Sequence, residues 1–307
     1  MQAVSTWSQF SISQFFQSSF NVALARMVPL PVFRLCCYVV GLSYLAVRPD
    51  HRQQVAAGVL SNLSYLTKAS PPSDDLLWKT YLGIFEHYFE KLVNAYHPTE
   101  RLERYLAEQI MVQNEGWLQR AYREQKGLIL VSGHFGAVEY LPLFLALKSY
   151  APAMIMRFKT EHLRRECTFR CRQFDVEAID ADQPNAAQKA LKAVKQGRVL
   201  VTLCDEFSHW RPHRDRYVSV LGRRVRADRT LDVLHRRSRP PACLGLVQRT
   251  PGGFTLQIEP ITDGGKTSRL SERSWRILEG YVRRFPEQWY QWRALASELR
   301  AYGKRGA

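Results

Sequence analysis

The stretch KGLILVSGHFGAVEYLPLF, Lys126 to Phe144, is the most informative segment for predicting the fold, because an apolar run in it leads directly to polar residues. Its first part, GLILVSG, is a short and nearly continuous apolar run between glycines, which is typical of a strand buried on both faces. A histidine and, five residues later, a glutamate follow it. Open α/β sheets place their sites at the carboxyl ends of strands. The stretch therefore predicts strand, turn and helix, with His134 at the mouth of a sheet.

His134 and Glu139 have two possible interpretations. On one continuous helix, residues five apart point about 140° apart and would not pair. Across a strand–turn–helix junction, Glu139 can reach back to one imidazole nitrogen. That contact would fix the tautomer and make His134 a general base for a hydroxyl. The alternative is a lone histidine beside a glutamate that favours a helix N-terminus. Spacing alone leaves both open.

Further apolar runs alternate with helical patterns along the second part of the chain. The predicted strands are APAMIMRF, RVLVTLCD, PACLGLVQR and FTLQIEPI, and residues 51–125 carry helical spacing. This alternation predicts an α/β fold with a central, mostly parallel sheet and flanking helices. We expect this core over residues 126–307, preceded by a helical N-terminal region over residues 1–125.

The N-terminal region contains an apolar segment, VPLPVFRLCCYVVGLSYLAV, over residues 28–47. Pro31 and Arg34 interrupt it, and the uninterrupted part, Leu35–Val47, has 13 residues. A bilayer span needs about 20 apolar residues. The segment is a buried helix, a membrane-surface helix or a short anchor. Basic flanks and aromatic side chains favour membrane association.

The chain is strongly basic, with a formal net charge of +16 from 44 Lys+Arg and 28 Asp+Glu. Such a charge favours anionic partners, which include nucleic acid, acidic proteins and anionic membranes. The densest stretch, Arg211–Arg239, holds ten arginines and three aspartates. Interleaved apolar residues predict an ordered element with one basic face. That face would bind lipid phosphate or a carrier protein, form plain surface, or bind nucleic acid; we expect no nucleic-acid partner.

Several common site types lack a pattern in this sequence. The six cysteines form no C-x-x-C pair and resemble neither a disulfide framework nor a zinc site. Asp205, His209 and His213 could suggest a metal site, but Pro212 opposes a regular helix carrying both histidines. Patterns for a nucleophile elbow and for nucleotide-binding loops are missing. We expect no metal and no cofactor.

The segment HFGAVE, His134 to Glu139, resembles the H-x4-D/E signature of glycerolipid acyltransferases. More specifically, the chain resembles the bacterial lipid A lauroyl/myristoyl acyltransferase family over nearly its whole length. The other matching segments occur in the family order: MRF at 156–158, RCR at 170–172, QKALKAVKQGRVLVTLCDE ending at Asp205 and Glu206, and FPEQWYQW at 285–292.

The resemblance implies roles for four site residues. His134 would deprotonate the acceptor hydroxyl, and Glu139 would orient and polarise it. Arg170 matches an arginine that would stabilise charge on the thioester oxygen. Asp205 matches a site aspartate that is structural or positions the acceptor.

The resemblance also implies substrates and location. The donor would be an acyl group on acyl carrier protein, and the acceptor a membrane glycolipid such as a lipid A precursor. We expect direct transfer without a covalent acyl-enzyme, at the cytoplasmic side of the bacterial inner membrane. The arginines expected to bind substrate are Arg157, Arg172, Arg223 and Arg224. Two alternatives remain: an acyltransferase for a lysophospholipid or lipoamino acid, and a non-catalytic basic protein that binds membrane or nucleic acid.

Two departures from the family pattern concern the acceptor more than the reaction type. After the site aspartate the family often has glutamine or histidine, and this chain has Glu206. Where many members have a threonine-rich stretch, this chain reads GRRVRADRTLD.

Overall fold

A seven-stranded sheet lies at the centre of the computed structural model, which describes residues 18–62, 74–124, 127–158, 160–264 and 269–295. The described residues form nine strands, two of which lie outside this sheet: β1 (Ile110–Gln113), β2 (Leu128–Ser132), β3 (Pro152–Met156), β4 (Glu177–Asp180), β5 (Val199–Leu203), β6 (Pro212–Val220), β7 (Arg223–Asp228), β8 (Ala242–Thr250) and β9 (Gly253–Thr262). The order in the sheet is β1-β9-β8-β2-β5-β3-β4, and β6 and β7 form a separate antiparallel hairpin.

Neighbouring strands of the large sheet run parallel except in the β8–β9 hairpin. β2 lies between β5 and β8, and every one of its residues is buried. Leu128 and Leu130 join the hydrophobic core on one face of the sheet, whereas Ile129 and Val131 join the core on the other. This alternation is the reason that a strand between two helical layers reads as a continuous apolar run. The predicted α/β fold with a mostly parallel sheet is confirmed.

Helices cover both faces of the sheet. They are α1 (Ser19–Met27), α2 (Leu30–Val47), α3 (Pro49–Leu60), α4 (Asp74–Tyr96), α5 (Thr99–Gln109), α6 (Glu115–Arg123), α7 (Leu141–Leu147), α8 (Glu161–Gln173), α9 (Ala186–Lys195), α10 (Thr230–Ser238) and α11 (Leu270–Arg284). Short 3₁₀ turns occupy Val138–Tyr140, Phe207–His209 and Pro286–Gln288.

The five predicted strands are present as β2, β3, β5, β8 and β9, and four others were missed. The helical prediction for 51–125 is wrong at β1, which has four residues and follows α5 without a break. So short an apolar stretch has no period that separates strand from helix. The boundary between residues 125 and 126 stays a prediction, and the outer ends of both regions lie outside the described residues.

Helix α2 is longer than its uninterrupted apolar part suggested. Pro31 lies in its first turn, where a missing N–H leaves no hydrogen bond unmade. The Arg34 guanidinium lies 3.3 Å from a Glu86 oxygen and packs over the Phe89 ring, so its charge has partners in the protein. Among the described helices, α2 is long and apolar enough to cross a membrane, judged by length and composition alone.

One face of α2 packs on α4, and the other is exposed. Phe33 and Cys37 are buried in the core, whereas the exposed face includes Leu35, of which 62% is accessible. Gly41 of α2 lies against the Phe85 ring of α4, and an added Cβ would overlap that ring. The absence of a side chain at Gly41 therefore sets the distance between the two helices.

We expect Gly41→Ala to lower the melting temperature of the protein in detergent, because the new methyl group displaces α2 from Phe85. Alanine at an unhindered helix position would raise stability by about 1 kcal/mol. Gly280→Ala in α11 is the matched control, since no atom lies within 4 Å of its added Cβ. Thermal unfolding that is equal for the two variants would contradict close packing of α2 on α4.

Candidate active site

The register of the sheet brings two of the predicted site residues together. In the β2–β5 pair, Ser132 lies opposite Leu203, and the Cys204 N–H still donates to the Ser132 carbonyl at 2.8 Å. His134 and Asp205 each follow two residues after these strand ends. They therefore lie side by side at the carboxyl edge of the sheet, where such folds place their sites.

Three hydrogen bonds meet at the Asp205 carboxylate, and two of them fix the position of His134. One carboxylate oxygen lies 2.8 Å from His134 Nδ1, and the other accepts from the His134 backbone N–H at 2.7 Å. That second oxygen also accepts from the Trp289 indole N–H at 2.8 Å. Asp205 is only 1% exposed, so these donors replace its contacts with water. The contact at Nδ1 places a proton there and leaves Nε2 as the atom that exchanges protons with a substrate.

Gly133 makes this close arrangement possible. A Cβ at this position would lie 2.6 Å from a Leu278 methyl group and 3.2 Å from Asp205 Oδ2. Gly136 has a φ of +56°, and an added Cβ there would overlap the Val247 carbonyl. The two glycines that flank His134-Phe135 thus allow the turn to lie against β8 and α11.

Glu206 lies at the free side of the imidazole. Its carboxylate is 3.3 Å from His134 Nε2, and its side chain is 35% exposed. Burial lowers the pKa of His134, but the charges and hydrogen bonds of Asp205 and Glu206 outweigh this effect and raise it to about 10. Burial raises the pKa of Glu206. The interactions with His134, His209 and Arg157 lower it by more, so the net shift is downward. Both carboxylates therefore stabilise the protonated form of the imidazole.

Glu139 has a different partner from the expected one. Its carboxylate lies 3.6 Å from His87 Nδ1 and 3.9 Å from Lys91 Nζ, both on α4. No hydrogen bond or ion pair joins it to His134 within the described residues. The reason is local: Glu139 lies in the 3₁₀ turn Val138–Tyr140, and Asn94 of α4 donates to its backbone carbonyl at 2.8 Å. The expected Glu139–imidazole contact is replaced by Asp205.

The C-terminal aromatic segment closes over the site. The Tyr290 ring stacks on His87 with centroids 3.8 Å apart and meets His134 edge-on at 5.1 Å. The Tyr290 N–H donates to the His134 carbonyl at 3.3 Å. Trp289 and Trp292 are fully buried. Core packing is therefore the role of both tryptophans, and Trp289 also positions Asp205.

A buried ion pair that the sequence did not reveal holds the turn after His134. Arg249 of β8 donates to both carboxylate oxygens of Glu90 at 2.6 and 2.8 Å, and to the Gly136 carbonyl at 2.9 Å. Its backbone N–H donates to the Gln288 side chain at 2.9 Å. Burial raises the pKa of Glu90 to about 7, against the opposing effect of Arg249. Glu90 and Arg249 are 159 positions apart in the chain, and no sequence pattern indicated this pair.

Arg170 belongs to α8, and its guanidinium lies against the C-terminal end of α4. Its Nε donates to the Asn94 carbonyl at 2.9 Å, its Nη1 to Thr99 Oγ1 at 2.6 Å, and its Nη2 to the His97 carbonyl. The side chain is buried. Because a helix C-terminus leaves carbonyls unpaired, this geometry favours a structural role. A role at the thioester oxygen stays a prediction from the resemblance.

The other predicted substrate-binding arginines lie in several places. Arg157 pairs with Asp182 beyond the end of β3, and Arg172 is exposed on α8. Arg223 donates to the Ser61 carbonyl at 3.3 Å, and Arg224 packs over Tyr217 with 4.1 Å between its Cζ and the ring centroid. Of the four, Arg157 contributes to the lowered pKa of Glu206.

Beside the site is a cavity of about 1190 Å³, here named the arginine cavity. β3, the residues after β4, the first turn of α9, the start of β6, and α10 form it. Eight arginines and two aspartates line it: Arg157, Arg211, Arg214, Arg216, Arg229, Arg236, Arg237, Arg239, Asp215 and Asp232. His209, three residues after Glu206, also lines it, and Arg157 follows β3, which pairs with β5, so the cavity lies at the same edge of the sheet as His134 and Asp205.

The sequence suggested a metal site at Asp205, His209 and His213 as an alternative. Among the described residues, no group of three His, Cys, Asp or Glu side chains could hold a metal ion. His213 instead lies with its Nε2 3.4 Å from an Asp232 oxygen. His209 lies in the 3₁₀ turn Phe207–His209 that follows Glu206.

Sequence comparison matches residues 14–293 to the family described as bacterial lipid A biosynthesis acyltransferase. The chain belongs to this family. The match covers the apolar N-terminal helix, the sheet, the His134–Asp205 pair and the aromatic segment. Among curated proteins, none is similar enough to this chain to count as a match. The family resemblance seen in the sequence is therefore confirmed, and with it an acyltransferase that acts on lipid acceptors.

We expect Asp205→Asn to lower the pKa of the His134 imidazole, because the carboxylate is its main stabilising partner and burial opposes the charge. Glu139→Gln, the matched control, should leave that pKa unchanged. Titration of ¹³C,¹⁵N-histidine NMR signals, with His134→Gln used for assignment, measures both. An equal fall in the Glu139→Gln variant would contradict the assignment of Asp205 as the partner of Nδ1.

Proposed function

We propose that this protein is an O-acyltransferase that moves a fatty acyl chain from acyl carrier protein to a hydroxyl of a membrane glycolipid, such as a lipid A precursor. The observation that carries the proposal is the His134 imidazole, held by Asp205 with Nε2 directed away from it, at the carboxyl edge of the sheet. Family membership supplies the acyl donor and the lipid acceptor as classes.

In the proposed mechanism, His134 acts as a general base without an enzyme nucleophile. Nε2 removes the proton of the acceptor hydroxyl while the oxygen attacks the thioester carbonyl, and the C–O bond forms. The tetrahedral intermediate then expels the carrier thiolate as the C–S bond breaks. The imidazolium returns its proton to that thiolate, which restores neutral His134. Asp205 stabilises the imidazolium throughout by its charge and keeps the tautomer.

For this step the Glu206 carboxylate has to leave Nε2. It lies 3.3 Å from the nitrogen, in the position that an acceptor hydroxyl needs. The Glu206 side chain is 35% exposed and feels the positive charge of Arg157, so it can turn toward that guanidinium. We therefore propose that Glu206 occupies the position next to His134 Nε2 when no acceptor is bound, and so blocks the general base.

The remaining predicted catalytic residues are assigned from their contacts. We place Glu139 as a positioning residue that holds His87 against Tyr290, which in turn contacts His134. We propose that Arg170 orders the C-terminal end of α4. The same helix carries His87 and Lys91. Arg157 is the predicted substrate-binding arginine whose charge helps to lower the pKa of Glu206, which favours contact with the acceptor.

Charge and surface support the partners and the location. The net charge of +16 favours an acidic carrier protein and anionic lipids. The apolar residues exposed on α1 and α2 include Phe20, Met27, Val32, Leu35, Val39 and Val47. Such a surface favours insertion into a membrane. We propose that the site faces the cytoplasmic side of the inner membrane, where carrier protein is available.

Two other functions make different predictions. A lysophospholipid or lipoamino acid acceptor would use the same His134 chemistry with another labelled product. A non-catalytic basic binding protein has no need of an imidazole held by a buried carboxylate, and would show salt-dependent binding without transfer.

The test is an acyl-transfer assay in detergent with labelled acyl carrier protein and a total inner-membrane lipid extract. We expect the wild type to label a lipid and His134→Ala to lose at least about two orders of magnitude in rate. His162→Ala is the control, since His162 is exposed on α8. Equal transfer by His134→Ala would contradict the general-base role, and preferred transfer from acyl-coenzyme A would contradict the carrier-protein donor.

We expect Glu206→Gln to move the acidic limb of the pH–rate profile to lower pH. The Glu206 carboxylate stabilises the imidazolium and so raises the pKa of His134, whereas an amide does not. A lower pKa leaves more neutral base at neutral pH, and kcat/KM rises there. Glu166→Gln, which changes an exposed pair with Arg26, is the control. An unchanged limb in Glu206→Gln would contradict the assignment of Glu206.

A further inference from the structure

The proposed acyl transfer places negative charge on the carbonyl oxygen of the thioester. This charge develops as the acceptor oxygen attacks and the tetrahedral intermediate forms. A hydrogen-bond donor that is already in place for that oxygen usually supplies a large part of the rate enhancement in acyl transfer. The protein therefore needs a donor close to His134, and the groups around the imidazole can be considered one by one.

Two cationic side chains of the region already have partners. The family resemblance assigned the thioester oxygen to Arg170, but each of its three side-chain nitrogens donates to a group at the end of α4 or the start of α5. The Lys91 ammonium lies 3.9 Å from the Glu139 carboxylate, which compensates its charge. Neither cation is held in readiness beside the imidazole.

The backbone N–H groups next to the imidazole are also paired. Those from His134 to Ala137 donate to the Asp205 carboxylate or to backbone carbonyls, at 2.7 to 2.8 Å. On the aromatic segment, the Tyr290 N–H donates to the His134 carbonyl at 3.3 Å. These N–H groups are therefore not available to form an oxyanion hole.

The Tyr290 hydroxyl is a donor without such a commitment. It is buried, and it has no hydrogen-bond partner among the residues that the structure describes. A buried hydroxyl without a partner costs free energy, so its presence calls for an explanation. The hydroxyls of Tyr96 and Tyr140 share this property, but of the three rings it is that of Tyr290 that contacts His134.

The Tyr290 ring is fixed beside the imidazole. It stacks on His87 with centroids 3.8 Å apart and meets His134 edge-on at 5.1 Å. The residue as a whole is partly exposed, whereas its hydroxyl is covered from water. Burial raises the pKa of Tyr290 well above its usual range, so the phenol keeps its proton and remains a donor.

We propose that the Tyr290 hydroxyl donates a hydrogen bond to the thioester carbonyl oxygen as this oxygen becomes negative, which makes Tyr290 a catalytic residue. The inference rests on the proposed function, since it adds a residue to the same transfer. The phenol keeps its proton throughout, and the acceptor proton still passes to His134 Nε2. The hydroxyl can turn to the carbonyl without breaking a hydrogen bond in the protein, and exclusion of water strengthens the new bond.

The test compares single-turnover acyl transfer by Tyr290→Phe and Tyr140→Phe in detergent, at saturating donor and over a range of pH. Tyr140→Phe is the matched control because it also removes a buried hydroxyl without a partner. Its ring packs in the core on Phe144 and Phe254, with centroids 6.0 and 5.5 Å away. Both variants retain the aromatic ring and its packing. A third variant, with 3-fluorotyrosine at position 290, retains a hydroxyl that is more acidic.

We expect Tyr290→Phe to lower the transfer rate at least about tenfold, since loss of one oxyanion donor typically costs about 10²–10³ in kcat. Tyr140→Phe and the fluorotyrosine variant should transfer at least as fast as the wild type. Neither phenylalanine variant should melt at a lower temperature than the wild type, because each deletes an unpaired buried hydroxyl. The acidic limb of the pH–rate profile should stay in place, because the hydroxyl is not a partner of the imidazole.

Four results would overturn the inference. They are a loss smaller than about tenfold in Tyr290→Phe, an equal loss in Tyr140→Phe, a shift of the acidic limb that assigns the loss to His134, and a lower melting temperature of Tyr290→Phe. If the wild type and Tyr290→Phe transfer equally, this inference fails and the proposed function stands. If the wild type transfers from no donor, both fail.

Discussion

The hydrogen bond between Asp205 and His134 Nδ1 is the interaction on which the site depends. It requires two parallel strands in fixed register, because each residue follows its strand end by two positions. It requires a glycine at 133, where a side chain would meet Leu278 and Asp205 itself. It also requires Trp289, whose indole N–H occupies the second carboxylate oxygen. The C-terminal aromatic segment is therefore part of the site as well as of the core.

A second layer of contacts holds the turn that carries the imidazole. The buried Arg249–Glu90 pair links β8, α4 and the Gly136 carbonyl, and Gln288 joins the aromatic segment to Arg249. Removing one partner of such a pair leaves a buried charge without compensation, which typically destabilises a protein by about 3–5 kcal/mol. The helical region before the sheet thus contributes directly to the geometry at His134.

The sequence predicted the fold well where the local pattern was long, and the site less well where partners are distant. β2 was predictable because burial on both faces makes it uniformly apolar. His134 was found because it follows that strand. Its partner was misassigned to Glu139 because spacing within one segment suggests local pairs, whereas Asp205 is 71 residues away and reaches His134 through strand register.

The contacts of the residues that depart from the family pattern depend on the fold and could not be predicted from the sequence. Glu206 was visible as an unusual residue after Asp205, but its contact with Nε2 depends on the same register. The ten arginines between 211 and 239 predicted a basic face. The fold divides that stretch between a hairpin and a helix, and both line one cavity.

The central claim is that an imidazole held by Asp205 removes the proton of the acceptor hydroxyl. The most direct measurement is the single-turnover rate of acyl transfer by Asp205→Asn, with folding checked by thermal unfolding. We predict a loss of at least about two orders of magnitude, because an amide neither supports the imidazolium nor ensures its tautomer. Transfer by folded Asp205→Asn at the wild-type rate would contradict the account.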